Sequence, residues 1–222
     1  MFKIKNLLST SANPESIGFK FRNRRFIVFE TLIDRNFTKN KKLKILDVGG
    51  AAYFWSDKDF LEKYDVEITM LNLVAVESGH PKLKSVKGDA TDLSEYQNDS
   101  FDLVFSNSVI EHLYTWENQV KMAEECVRVG KKHFIQTPNR HFFVEAHYTL
   151  PFAQYLPDKL LFDILTKTKL SQTRKWDPGD AKQYIEEIRL LTGKEVKTLF
   201  PSSKIYKEKF IGMTKSFVAH NL

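Results

Sequence analysis

Residues 43–55 read LKILDVGGAAYFW, and this stretch decides the fold. Leu43–Val48 is a compact apolar run of the length of a buried strand, and Gly49 and Gly50 follow it as a turn. Phe54–Lys63 is then predicted to be helical. Because glycine has no Cβ, a ligand can approach the backbone of such a turn closely. A tight packing turn without a ligand is the alternative interpretation.

Strand-like and helix-like segments continue to alternate after this turn. Further strands are predicted at Glu67–Leu73, Leu83–Lys87, Phe101–Ser106 and Lys132–Thr137, with a helix at Trp116–Val129. Alternation with short connections predicts a parallel sheet. The fold class we predict is α/β, a Rossmann-like doubly wound, mostly parallel seven-stranded sheet with helices on both faces. Such sheets bind ligands at the carboxyl ends of their strands.

The chain after Pro138 changes character. Residues 138–180 are aromatic and interrupted by prolines, which predicts a helical and aromatic lid inserted after the fifth strand. Ala181–Leu191 is predicted as a helix, and Lys194–Phe200 and Glu208–Val218 as closing strands. We predict one domain over residues 1–222: a basic helical arm at 1–40, which includes a helix at Arg24–Asp34, a ligand-binding core at 41–137, a substrate lid at 138–180, and a C-terminal helix and strand pair at 181–222.

Composition, charge and cysteine count exclude several classes of protein. The chain of 222 residues has 42% hydrophobic residues, a net charge of +6 and one cysteine, Cys126, which excludes a disulfide framework and a thiolate metal cluster. No apolar run has the length of a membrane span and no secretory signal is evident, so we expect a cytoplasmic protein. Most of the excess positive charge lies in residues 1–40. A solvated helix face explains it most simply; contact with an anionic membrane surface is the alternative, and nucleic acid is disfavoured.

Polar residues follow the predicted strands at the positions that an adenosine-like ligand requires. Asn72 ends the second strand, where an acidic side chain usually binds ribose hydroxyls. Asp89 and the Ala90 amide follow the third strand, near the expected adenine edge. Ser106 and Asn107 end the fourth strand. No G-x-G-x-x-G motif is present, which disfavours a dinucleotide oxidoreductase.

These motifs together resemble the class I S-adenosylmethionine-dependent methyltransferases, of the type called methyltransferase domain 11, over roughly residues 43–137. The matching residues are Asp47, Gly49, Gly50, Asp89, Ala90, Asp102, Val104, Glu111 and His112. The resemblance implies S-adenosyl-L-methionine as cofactor, bound by Asp47, Gly49, Gly50, Asn72, Asp89, Ala90, Ser106 and Asn107. The sequence departs from the family pattern at Ala51–Phe54, where later glycines are expected, and at Asn72, where a carboxylate is expected.

A second resemblance concerns the acceptor. Residues 137–157, TPNRHFFVEAHYTLPFAQYLP, and the closing FIGMTKSFVA are similar to methyltransferases of bacterial polysaccharide and glycolipid gene clusters. This implies methyl transfer to an oxygen of a sugar, a glycolipid or a small molecule. Ser106–Val109 stand where an N-P-P-Y tetrad would indicate transfer to a planar nitrogen, which also favours oxygen.

Histidines supply the candidate base that a hydroxyl acceptor needs. We predict His147, oriented by Glu145, and His112 as catalytic candidates, although His112 has an alternative role beside the cofactor. Glu145 and His147 with His112 as third ligand form a minor metal alternative, and we predict no metal. The substrate-binding candidates are Arg140, His141 and Tyr148.

Two other functions remain open from the sequence. The departures at Ala51–Phe54 and Asn72 are consistent with a catalytically degenerate binding or scaffold protein on the same fold. The basic arm is consistent with a methyltransferase that acts on RNA or protein.

Overall fold

The computed structural model describes residues 17–38 and 41–222. Its strands are β1 (Leu43–Val48), β2 (Val66–Asn72), β3 (Leu83–Lys87), β4 (Leu103–Asn107), β5 (His133–Pro138), β6 (Val144–Glu145), β7 (Leu150–Pro151), β8 (Lys204–Phe210) and β9 (Met213–His220). Seven of them form one sheet in the order β3-β2-β1-β4-β5-β9-β8, and β9 runs antiparallel to both of its neighbours. The predicted α/β class and the mostly parallel seven-stranded sheet are confirmed.

Helices cover both faces of this sheet. They are α1 (Ile17–Asn36), α2 (Ala52–Ser56), α3 (Phe60–Lys63), α4 (Trp116–Val129), α5 (Asp158–Lys167), α6 (Pro178–Glu187) and α7 (Gly193–Leu199), with 3-10 turns at Ile110–His112 and Ala153–Tyr155. In the described part of the chain, no helix is both long and apolar enough to cross a membrane. Of the basic residues in the predicted arm, Lys3, Lys5 and Lys39 lie outside the described residues.

The prediction of a strand at Lys194–Phe200 is wrong, because Gly193–Leu199 is helix α7. Thr192 caps this helix: its side chain accepts from Glu195 N, and the Glu195 side chain accepts from Thr192 N. The reciprocal pair satisfies two N–H groups that a helix start otherwise leaves unpaired. The sequence signal was the spacing T-x-x-E, which outweighs the alternating pattern of the segment.

Three other segments differ from the prediction. The helix predicted at Phe54–Lys63 is two short helices, α2 and α3. The strand predicted at Glu208–Val218 is divided by a turn at Gly212, whose φ of +78° only glycine adopts without strain, so β8 and β9 form a hairpin. The helix predicted at Ala181–Leu191 is shifted toward the N-terminus, because Asp177 caps α6 ahead of Pro178.

Each face of the sheet has its own apolar cluster. On one face, α1 contributes Phe26, Phe29 and Ile33, which pack on Trp55 and on the sheet. The predicted helix at Arg24–Asp34 is thus confirmed within a longer one. On the other face, α4 packs through Met122, Ala123, Cys126 and Val129. Burial of each large apolar side chain contributes about 1.5–3 kcal/mol, so these faces fix both helices on the sheet.

The residues between β5 and β8 form a third apolar cluster, centred on Leu161, Leu165 and Trp176. The β6–β7 hairpin, α5 and α6 belong to this segment, which returns toward the carboxyl end of β4 through residues 187–191. It is therefore a folded unit that lies against the edge where β1, β4 and β5 end. Whether it acts as the predicted substrate lid stays a prediction.

Candidate functional site

The turn after β1 is held tightly on three sides. Gly49 has φ +73°, and a Cβ at this position would lie 2.3 Å from Val109 Cγ2. Gly49 N donates to Leu71 O (2.8 Å), and Asn72 Nδ2 donates to Gly50 O (2.8 Å). The turn therefore contacts both the carboxyl end of β2 and the segment that follows β4. No side chain larger than hydrogen fits at Gly49 without displacing Val109.

Asp47 supports this turn from below. Its carboxylate is 2% exposed and accepts a hydrogen bond from Trp55 Nε1 (2.6 Å). Burial raises the pKa of Asp47 to about 7, and the bond from Trp55 only partly offsets that increase. The Asp47 side chain therefore lies in the protein interior. Trp55 is also fully buried, and its ring packs against Phe26 and Phe105.

The exposed edge beside the turn combines polar and apolar groups. Asn72 uses its amide nitrogen on Gly50, which leaves Oδ1 as an acceptor. Leu73, the next residue, is 70% exposed. Asp89 accepts from Thr91 N and Thr91 Oγ1 through Oδ1 (both 2.8 Å), which leaves its second oxygen facing outward. These groups surround an edge at which a ribose and a flat base can be bound.

Ser106 and Asn107 differ in their surroundings. Ser106 is fully buried, and its hydroxyl donates to Val48 O within the sheet (3.1 Å). Asn107 is partly exposed and its Oδ1 accepts from Arg25 Nη1 of α1. Asn107 is therefore partly accessible at the end of β4, and Ser106 is not.

A second group of side chains joins the 3-10 turn after β4 to the segment after β5. His147 Nδ1 is 2.6 Å from Glu145 Oε1, His112 Nδ1 is 2.5 Å from Glu187 Oε1, and the two Nε2 atoms are 3.2 Å apart. The imidazole rings are nearly perpendicular, at 85°. The structure thus brings the three predicted catalytic residues together. We call this group, completed by Glu111, the histidine cluster.

Glu111 is the buried member of the histidine cluster. It is fully buried, its Oε2 accepts from Thr137 Oγ1 (3.1 Å), and its Oε1 has no hydrogen-bond partner. Burial raises the pKa of Glu111, against the opposing charges of His112 and His147. Burial alone would lower the pKa of His147; its hydrogen bond to Glu145 and the surrounding carboxylates outweigh burial and raise that pKa.

Residues 49–133 match the family model described as a methyltransferase domain. The chain carries a methyltransferase domain. The predicted membership among S-adenosylmethionine-dependent methyltransferases is confirmed, and so is S-adenosyl-L-methionine as the cofactor. No curated protein matches the chain significantly.

Solved structures with this fold agree with the architecture of the methyltransferase. The PH0226 protein of Pyrococcus horikoshii OT3 is 18% identical, with 92% of this chain and 91% of that chain covered and a TM-score of 0.51. A SAM dependent methyltransferase of Archaeoglobus fulgidus is 15% identical, with 91% and 96% covered and a TM-score of 0.51. A candidate O-methyltransferase of Nostoc punctiforme is 13% identical, with 94% and 61% covered and a TM-score of 0.53.

The residues of the methyltransferase fit the adenosyl part of this cofactor. Gly49 offers bare backbone, Asn72 Oδ1 and Asp89 offer acceptors for hydroxyl and amino groups, and Leu73 offers an apolar surface. Asn72 takes the place of a carboxylate and gives a neutral hydrogen bond. The buried Asp47 and Ser106 do not reach this edge through their side chains.

The three predicted substrate-binding residues of the methyltransferase differ in solvent exposure. Arg140 and His141 are exposed, and His141 Nδ1 is 3.0 Å from the Tyr155 hydroxyl. Tyr148 is 3% exposed and packs against Trp176, so its side chain belongs to the apolar cluster of the segment after β5.

Sequence reasoning missed two residues of the site. Glu187 joins His112 across 75 positions of sequence, and no local pattern marks it. Arg25 reaches Asn107 from α1, and its signal was available: it lies four residues before the buried Phe29, on the helix face that packs inward.

Proposed function

We propose that this methyltransferase transfers a methyl group to a hydroxyl oxygen, of a sugar-containing or other small-molecule acceptor. The observation that supports the proposal is the histidine cluster, because a neutral hydroxyl must lose its proton as it is methylated. Val109, which contacts the Gly49 turn, immediately precedes the 3-10 turn that carries Glu111 and His112. The cofactor edge and the proton-accepting groups are therefore neighbours.

In the protein without a bound metal ion, His147 is the residue that we assign to proton removal. A carboxylate can only accept hydrogen bonds, so the bond to Glu145 keeps the proton on His147 Nδ1 and directs the basic Nε2 away from Glu145. Tyr148 N donates to Glu145 Oε2 (2.8 Å) and holds that carboxylate in place. Bound S-adenosyl-L-methionine supplies an activated methyl group, so the protein must mainly orient the acceptor and remove its proton.

The outer surface of the segment after β5 fits a sugar ring. Tyr155 is 51% exposed and Phe152 57% exposed, and they lie beside Arg140 and His141. Gln154 donates to the backbone oxygens of Arg140 and Phe142 and holds this surface together. Aromatic faces bind the apolar side of a sugar, while the cation and the imidazole bind hydroxyl or phosphate oxygens. The Nostoc punctiforme protein is described as a candidate O-methyltransferase, which is consistent with an oxygen acceptor.

Cofactor binding is tested first. Calorimetric titration with S-adenosyl-L-methionine and S-adenosyl-L-homocysteine should give one site in the wild-type protein, and His147→Asn should bind both equally well. Absence of binding at millimolar ligand would instead support a degenerate binding protein on this fold.

Methyl transfer is tested with methyl-labelled cofactor and purified lipid-linked glycans, nucleotide sugars, total RNA and total protein. We expect label in the glycan or sugar fraction, and a loss of about 10²–10⁴-fold in kcat/KM for His147→Asn. Label confined to RNA or protein would contradict the proposal. A cytoplasmic location and contact of the basic arm with an anionic membrane stay predictions, although Arg25 is buried and takes no part in such contact.

A further inference from the structure

The two imidazoles of the histidine cluster face each other through their Nε2 atoms, which is unfavourable for two neutral rings protonated on Nδ1. Each Nδ1 lies within 2.6 Å of a carboxylate oxygen, so each ring carries its proton on Nδ1. Both Nε2 atoms then present lone pairs, and they are 3.2 Å apart. Two lone pairs repel at this distance unless a cation lies between them.

The spacing of the lone pairs is that of a metal site. Zinc-to-nitrogen bonds are about 2.0–2.1 Å long, so two nitrogens at a tetrahedral ion lie about 3.3 Å from each other. A shared proton would satisfy the two nitrogens alone. The histidine cluster has a third donor, the buried and unpartnered Oε1 of Glu111. One donor atom each from Glu111, His112 and His147 lies within 4.8 Å of the other two.

The surroundings of these donors are those of a metal-binding histidine pair. Histidine ligands characteristically donate their second N–H to a carboxylate, which fixes the ring and strengthens the ligand. Glu145 and Glu187 have this role here, and each is itself held: Tyr148 N donates to Glu145 Oε2, and Gln183 Nε2 donates to Glu187 Oε2 (3.2 Å). His147 is further fixed by Gln172, whose Nε2 donates to His147 O (2.7 Å).

We propose that Glu111, His112 and His147 bind a divalent first-row transition-metal ion, such as Zn²⁺ or Co²⁺. Two imidazoles and one carboxylate suit these ions, whereas Mg²⁺ and Ca²⁺ take oxygen ligands. The His112 side chain is about one-quarter exposed, and this exposure leaves the fourth coordination position open to solvent or to a ligand oxygen.

The ion has a consequence for catalysis that rests on the proposed function. Nε2 of a coordinated histidine cannot accept a proton, so the metal-bound protein does not use His147 as the base. A bound ion would lower the pKa of a coordinated acceptor hydroxyl: its proton would pass to solvent, its oxygen would bond to the methyl carbon, and the carbon–sulfur bond would break to release S-adenosyl-L-homocysteine. The acceptor would then be a hydroxyl compound that reaches the open position of the ion.

Metal binding is tested on the full-length protein without any acceptor or cofactor. After treatment with a chelator, titration with Zn²⁺ by calorimetry and with Co²⁺ by visible absorption should show one ion per chain. Co²⁺ in a four-coordinate site with nitrogen ligands is expected to absorb visible light more strongly than the free aqueous ion does. Absence of stoichiometric binding of both ions would overturn the inference.

Variants separate this site from the other histidines of the chain. His147→Asn and Glu111→Gln should abolish stoichiometric binding, and Glu145→Gln should weaken it about 10–100-fold. His141→Asn, which removes an exposed histidine of the same segment, should bind as the wild type does. Equal binding by His147→Asn and the wild type would place the ion elsewhere and contradict the proposal.

Separate measurements distinguish metal binding from folding and from methyl transfer. Circular dichroism and the thermal midpoint of each chelated variant show whether it is folded, and Glu145→Gln offers a graded change if His147→Asn does not fold. Stoichiometric binding without detectable methyl transfer would support the metal site while contradicting O-methyl transfer. Methyl transfer to oxygen by a protein that binds no metal would support O-methyl transfer while contradicting the metal site.

Discussion

Asp47 shows how a single residue in a ligand-binding motif can have its main physical role inside the protein. The carboxyl group accepts from Trp55 Nε1, and burial raises its pKa from 3.8 to about 7. The folded protein therefore holds this proton more tightly than the unfolded chain does. The resulting stability is fully present below about pH 4 and is lost as the pH rises through about 7.

The test of this residue is the variant Asp47→Asn, which keeps an acceptor for Trp55 and removes the titration. Denaturant unfolding of both proteins should give similar free energies at pH 4. At pH 8 the variant should be the more stable by up to roughly 4 kcal/mol, which is the difference in pKa converted to free energy. A constant difference in stability across this range would show that Asp47 is ionised in the folded protein throughout.

The turn between β1 and α2 is the element on which the cofactor edge depends. Gly49→Ala places a Cβ against Val109 at a positive φ, so it should both destabilise the fold and weaken binding of S-adenosyl-L-methionine. Gly79 also has a positive φ, of +68°, and has open space around it. Gly79→Ala therefore measures the backbone strain alone, which is of order 1 kcal/mol.

The double variant Gly49→Ala, Val109→Ala completes this experiment, since it removes the side chain with which the new Cβ collides. We expect it to recover part of the cofactor affinity measured by calorimetry. If Gly49→Ala and Gly79→Ala have the same effect on stability and neither changes affinity, the turn does not form the cofactor edge.

Helix α7 depends on its capping box. Thr192→Ala removes the acceptor for Glu195 N and should lower the free energy of unfolding by about 1 kcal/mol. Thr198→Ala in the same helix is the matched control, because this exposed hydroxyl only bonds back to Lys194 O and its loss should change stability by less than about 0.5 kcal/mol. Urea unfolding of the two variants distinguishes a cap from general helix propensity.

At the scale of the whole molecule, α1 is tied to the closing hairpin through a buried ion pair. Arg25 Nη2 is 3.1 Å from Glu208 Oε2, and Ser216 Oγ donates to the same oxygen (2.6 Å). Lys215 Nζ lies 3.8 Å away, and burial lowers the pKa of Lys215 to about 8. One carboxylate therefore balances the buried Arg25 and the half-buried Lys215, which come from opposite ends of the chain.

Glu208→Gln should consequently destabilise the protein by about 3–5 kcal/mol, because the buried Arg25 is left without its counter-charge. Asp163→Asn breaks the exposed Lys167–Asp163 pair and should cost less than about 1 kcal/mol. Chemical denaturation measures both. Equal effects of the two substitutions would mean that solvent reaches the Arg25 pair and screens it.

The parts of this molecule that depend on local chemistry were predictable from the sequence. Strand β3 and helix α4 have the predicted bounds, since a run of apolar residues and a helical period are local signals. The pairing of His147 with Glu145 was also predicted, from a spacing of two residues. Glu187 and the orphaned oxygen of Glu111 were not, because burial and contacts across 75 residues arise only when the segment after β5 folds back.

Residues 187–189 pass across the turn at Ile110–His112, and the opening of this contact can be timed by hydrogen exchange. Tyr114 N donates to Glu187 O (3.1 Å) and Arg189 N donates to Glu111 O (2.8 Å), so two backbone bonds close the far end of the segment. Such amides exchange their hydrogen for deuterium only while the bonds are open. The rate of deuterium uptake at Tyr114 and Arg189 therefore reports how often residues 187–189 separate from the turn at Ile110–His112.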